Sequence, residues 1–87
     1  MTAQLRVLGR GWCHLCDDLL DELMLLAICA DVSIVVDDVD DFPELEDAWG
    51  EKVPVLFGGD RRELCHYHLD ARVVHAYLAQ FPIKSPD

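Results

Sequence analysis

Apolar positions recur along the chain with more than one period, and the changes of period mark its elements. Gln4 to Gly9, with Leu5, Val7 and Leu8 apolar, predicts a strand that a Gly9-Arg10-Gly11 break ends. From Leu15 onward, Leu19, Leu20, Leu23, Leu26, Ala27 and Ala30 fall at helical spacing, while Asp17, Asp18, Asp21 and Glu22 supply a solvated face. A helix of about sixteen residues is expected there. Val32 to Val36 is a short β-branched run and predicts a buried parallel strand, followed by a solvated loop through Asp37, Asp38, Asp40 and Asp41. Asp41 as cap, Pro43 in a first turn, Glu44 and Glu46 near the positive helix end and Gly50 as stop predict a second, shorter helix.

Val53 to Phe57 is apolar and β-prone, Gly58-Gly59-Asp60 is a tight-turn sequence, and Arg61 to His66 returns as an antiparallel edge strand. Leu69, Val73, Val74, Ala76, Tyr77, Leu78 and Phe81 mark a last helix closed by Pro82, and Lys84 to Asp87 is a polar tail. The order is βαβαββα. A βαβ start implies parallel strands joined by a right-handed crossover, and a hairpin adds two strands without further helices between them. The expected architecture is α/β, a four-stranded mixed sheet with helices on both faces, in one domain over residues 1–87.

Composition narrows the function. A chain of 87 residues, 52% hydrophobic, holds one core and not two. Its formal charge of −10 argues against a nucleic acid or an anionic membrane as partner, since both need clustered Lys and Arg. The longest apolar stretch, Leu23 to Ala30, is eight residues, against the roughly 20 a spanning helix requires. No basic region followed by a secretory apolar run opens the chain, so a cytoplasmic location is the expectation, and the chain is expected as a monomer. In a reducing compartment the four cysteines are better read as thiols, metal ligands or a redox pair than as a permanent disulfide framework.

Cys13-His14-Leu15-Cys16 stands where the first strand ends and the first helix begins. The spacing puts Cys16 one turn beyond Cys13 on the same side, near enough for a disulfide or a shared metal. Unpaired backbone N–H groups and the positive helix end favour a thiolate at Cys13, making it the attacking nucleophile. A protonated His14 adds to that stabilisation, while Asp17 and Asp18 oppose it. Cys16 is then the resolving thiol, which attacks the mixed disulfide on Cys13 and releases the reduced substrate.

Gly-Arg-Gly-Trp-Cys-His-Leu-Cys after a first strand, with Val53-Pro54 ahead of a hairpin, resembles the thioredoxin-fold superfamily and its compact glutaredoxin-like branch. The resemblance covers Leu5 to about Phe81. It implies a thiol–disulfide oxidoreductase in which Pro54 is a cis-proline beside the dithiol and the Val53 backbone pairs with an extended substrate segment. It also places Arg10 where glutaredoxins often carry a basic residue for a glutathione carboxylate, and Trp12 where thioredoxins have Trp before the dithiol. The expected substrate-binding set is Arg10, Trp12, His14, Val53 and Pro54. No prosthetic group is implied, and the electron donor, glutathione or a protein dithiol, is consumed as a substrate. Two features depart from the family. His14-Leu15 replaces the usual central pairs of the motif, and Leu64 to Asp70 stands where glutaredoxins show Gly-Gly before an acidic helix start, leaving only Asp70 for a related capping role.

Two other readings compete. Cys13, His14 and Cys16 with Cys65, His66 and His68 could supply four zinc ligands, although the second cluster does not form a regular knuckle. A thioredoxin-fold module without catalysis would present the Pro54 groove to a partner chain. Cys29 is expected in the core of the first helix, Cys65 as filler on the edge strand, and His75 on the surface of the last helix.

Overall fold

The computed structural model describes residues 3–28 and 32–81. They form β1 (Ala3–Gly9), α1 (His14–Ala27), β2 (Val32–Asp38), a 3-10 turn (Val39–Asp41), α2 (Pro43–Trp49), β3 (Val55–Gly58), β4 (Glu63–His66) and α3 (Ala71–Leu78). The sheet order is β2-β1-β3-β4. β1 pairs parallel with β2 from Ala3 opposite Val32 to Gly9 opposite Asp38, and antiparallel with β3 from Leu5 opposite Gly58 to Leu8 opposite Val55. β3 pairs antiparallel with β4, with a register shift at Leu56/Phe57.

Strand alternation divides the apolar residues between two faces. Ala3, Leu5 and Val7 of β1 and Leu56 of β3 bury against Leu19 and Leu23 of α1 and Val74 and Tyr77 of α3. Leu8 and Val55 point the other way, onto Val39, with Leu45, Trp49, Val53 and Phe57 packed around them. Helices therefore cover both faces, and the two ends of β1 are fixed by different means. At its start, the buried Tyr77 donates its hydroxyl to the Gln4 carbonyl at 2.9 Å and accepts the Gly59 N–H at 2.8 Å, tying α3 to β1 and to the hairpin. Gly58 lets the tyrosine ring come this close, since a Cβ there would lie 2.8 Å from it. At its far end, β1 passes into the cysteine loop.

Several sequence expectations change. β2 is an edge strand and not a buried one: Val36 is 55% and Val35 42% exposed, because the crossover through α1 delivers the strand to the free side of β1 with nothing beyond it. The acidic run is ordered: Asp37 and Asp38 lie in β2, and Asp38 accepts the Asp40 N–H at 2.9 Å to start the 3-10 turn that buries Val39. That turn absorbs Asp41, so Phe42, without a side-chain cap bond, occupies the N-cap of α2. α1 ends at Ala27 and α3 at Leu78, both shorter than the apolar period suggests. Val53 and Pro54 precede β3, and Arg61, in the left-handed region at φ 67°, belongs to the hairpin turn. Ala30, Cys29, Pro82 and the Lys84 to Asp87 tail lie outside the described residues.

Candidate functional site

The chain leaves β1 at Gly9, turns through residues 10–12 and enters α1 at Cys13, its N-cap, with φ −107° and ψ 108°. An N-cap side chain turns back toward the free N–H groups of the first helical turn. Here the acceptor is sulfur: Cys13 Sγ accepts the Cys16 N–H at 3.2 Å, and the Cys13 carbonyl accepts the Asp17 N–H at 3.2 Å. A sulfur so placed faces the positive end of the helix dipole, where negative charge is favoured.

Cys16 stands one turn on, in a different environment. It is 4% exposed whereas Cys13 is half-buried, and both are thiols. Its sulfur packs over Gly9, where an added Cβ would lie 3.3 Å from it, so a side chain there would make the sulfur give by a few tenths of an ångström. Burial, then a hydrogen bond to the Cys13 sulfur, pushes the Cys16 thiol up from 9.0 to about 11, with the Arg10 N–H pulling the other way. The pair thus consists of an accessible sulfur facing helix N–H groups and a protected, protonated sulfur in contact with it.

Strand register brings the second part of the site to the same edge. Leu8 pairs with Val55, so Pro54, one residue earlier, comes beside Gly9 where the cysteine loop departs. The Val53–Pro54 peptide bond is cis, Pro54 is buried and Val53 half-buried. Val53 precedes the ladder, and no turn or loop hydrogen bond engages its backbone among the described residues. Beyond it, His66 pairs with Val55 at the end of β4, and Tyr67 follows.

The other expected residues are placed unevenly. His14 opens α1 and is exposed. Trp12, directly before Cys13, is fully exposed and sits in the left-handed region at φ 64°, so it neither packs on the loop nor shields the sulfurs. Arg10 turns away from the sulfurs: its guanidinium bonds Glu46, and its Nε lies 3.3 Å from Asp40 without hydrogen-bond geometry. Arg10, expected to bind a substrate carboxylate, is thus paired with acids that the folded chain brings to it from α2 and the 3-10 turn.

The zinc reading finds no geometry. Among the described residues no three His, Cys, Asp or Glu side chains stand close enough to hold a metal ion. Cys65 is buried in the main core, where burial pushes its thiol up. His66 Nδ1 pairs with Glu63 at 3.2 Å, and His68 is exposed. His75 is exposed on α3, whose N-cap Asp70 accepts the N–H groups of Arg72 and Val73. Sequence reasoning missed Gly9, Glu46 and Tyr67. A glycine immediately ahead of the cysteine loop was a usable signal for close approach; the Glu46 partnership spans 36 positions and left none.

Comparison with known proteins agrees with this fold. The family model described as Glutaredoxin-like domain (DUF836) matches residues 4–79. The solution structure of protein Ne2328 from Nitrosomonas europaea is 37% identical, covering 90% of this chain and 93% of that one at a TM-score of 0.82. The X-ray structure of target protein XcR50 from X. campestris is 35% identical, covering 90% and 99% at 0.68. The germline-specific thioredoxin Deadhead of Drosophila melanogaster, 20% identical over 93% of this chain and 82% of that one at 0.57, shares the fold. No curated protein matches.

Proposed function

Because the chain belongs to the glutaredoxin-like domain family and has a thioredoxin fold with Cys13 and Cys16 close together, we propose that it is a small thiol–disulfide oxidoreductase. The observation that carries this reading is the 3.2 Å contact from the Cys16 N–H to Cys13 Sγ, with the buried Cys16 thiol beside it. Cys13 thiolate attacks one sulfur of a substrate disulfide, forming a Cys13–substrate bond while the other substrate sulfur leaves as thiolate and takes a proton. Cys16 gives up its proton and attacks Cys13 Sγ, closing the Cys13–Cys16 disulfide and expelling the second substrate sulfur as thiolate. Counted from the neutral dithiol, the substrate gains two electrons and, once the second thiolate is protonated, two protons: the one Cys13 releases on ionising and the one Cys16 gives up. A protein dithiol or two molecules of glutathione restore the reduced form.

Val53 and Pro54 form the substrate edge, with Trp12 and His14 beside the attacking sulfur. Arg10 supports the loop through Glu46 and Asp40, and binds a substrate carboxylate only by leaving them. Substrates are protein disulfides or glutathione mixed disulfides. The charge of −10 favours neutral or basic ones, with an encounter rate that falls as salt rises. The setting is a reducing cytoplasm, where these thiols persist. No helix among the described residues is long and apolar enough to cross a membrane.

The test is reduction of bis(2-hydroxyethyl) disulfide with glutathione and glutathione reductase as donor, against thioredoxin with its reductase. Turnover with either donor, abolished in Cys13→Ser, supports the reading. Turnover with neither, or an unchanged rate in the variant, overturns it.

A further inference from the structure

Tyr67 combines three observations that its place after β4 does not require. It lies in the left-handed region at φ 64°, a conformation that strains a bulky side chain. Its backbone N–H donates to the Pro54 carbonyl at 2.8 Å, and its hydroxyl donates to the Glu51 carbonyl, also at 2.8 Å. One residue thus grips both ends of the 51–54 segment, whose Lys52 N–H is bonded to the Trp49 carbonyl. Tyr67 is 42% exposed, with the His66 ring edge-on to its own at 4.7 Å, so core burial does not explain its position. Between the gripped carbonyls lies Val53, whose backbone has no ladder or turn bond among the described residues.

We propose that Tyr67 is a positioning residue for extended polypeptide substrates, holding the Val53 backbone at the pitch a pairing strand needs and walling the groove on the β4 side. This rests on the dithiol reading above. An unpaired strand edge recognises a peptide by main-chain hydrogen bonds, which demand that donor and acceptor be held in register. Pre-ordering that edge removes an entropic cost that peptide binding would otherwise meet. A disulfide with no main chain to pair does not use the edge, so Tyr67 separates polypeptide from small-molecule substrates without touching the sulfurs.

The experiment compares two substrates in Tyr67→Phe, which keeps the ring and the backbone bond and deletes only the hydroxyl donor. One is a short extended peptide with a single cysteine held as its mixed disulfide with 2-mercaptoethanol; the other is bis(2-hydroxyethyl) disulfide. Expected is a KM for the peptide raised roughly threefold to tenfold, as for the removal of one ordering hydrogen bond, with kcat held and small-disulfide kinetics unchanged. Tyr67→Gly, which relieves the left-handed strain while deleting ring and hydroxyl, is expected to raise the peptide KM at least as far. Equal losses on both substrates, or an unmoved peptide KM in both variants, overturn the proposal while leaving the dithiol chemistry standing. A wild-type chain that reduces neither substrate overturns both.

Discussion

In the proposed reaction the raised Cys16 thiol sets the pH dependence of ring closure. Below neutrality and up to moderately alkaline pH, Cys16 is a protonated thiol in a buried site, and only its thiolate closes the ring. With the thiol pushed up from 9.0 to about 11, its thiolate fraction at pH 7 is about one in ten thousand, against about one in a hundred without the shift. The largest cause is burial, which persists once Cys13 is in a mixed disulfide, whereas the hydrogen bond to the Cys13 sulfur disappears when that sulfur becomes bonded. The midpoint for ring closure is therefore expected above 9.0 and at or below about 11. The assay loads Cys13 with thionitrobenzoate and follows release of the second chromophore by stopped flow. The observed rate should rise about tenfold per pH unit from neutrality before levelling between those bounds. A plateau below pH 9 would show that Cys16 resolves as an ordinary thiol, and the argument from its burial would fail.

Four other perturbations probe the pair and its surroundings. The burial of Cys16 as a neutral thiol favours the folded state below pH 9, an effect that fades as pH rises toward about 11; it amounts to on the order of 2 kcal/mol, measurable as a steeper alkaline fall in urea midpoint than Cys16→Ala shows. Cys13→Ser should abolish turnover while leaving Tm unchanged or slightly raised, because serine is a strong N-cap at the same position; a large fall in Tm would contradict the capping geometry. Tyr77→Phe removes bonds to Gln4 and Gly59 and leaves a part-buried carbonyl and N–H unpaired, a destabilisation of about 1–3 kcal/mol by urea denaturation. Trp12→Gly relieves roughly 1–2 kcal/mol of left-handed strain against about 0.5–1 for glycine's chain entropy, and the fully exposed indole leaves no cavity behind. That variant should be equal to or up to about 1.5 kcal/mol more stable by the same urea titration, and a clear fall would show that the indole is held by the fold.

The element order and the dithiol were legible in the chain because both are local. Periods of two and 3.6 in apolar positions are set by backbone geometry within each element, and a cysteine at a helix start meets free N–H groups wherever that helix is packed. Hence Cys13 could be placed at the helix start with Cys16 one turn on, and Asp70 could be singled out as a cap. Lateral position was decided only in three dimensions. The β-branched run Val32 to Val36 has the same composition whether a strand is central or at an edge, and the crossover to the free side of β1 left Val35 and Val36 exposed. Arg10 depended on Glu46 and Asp40 arriving from two later elements, and Tyr67 on the antiparallel return that brings β4 to Pro54. Local patterns follow from bonds a residue makes with near neighbours in sequence; partnerships such as these exist only once the sheet has closed and distant segments share one edge.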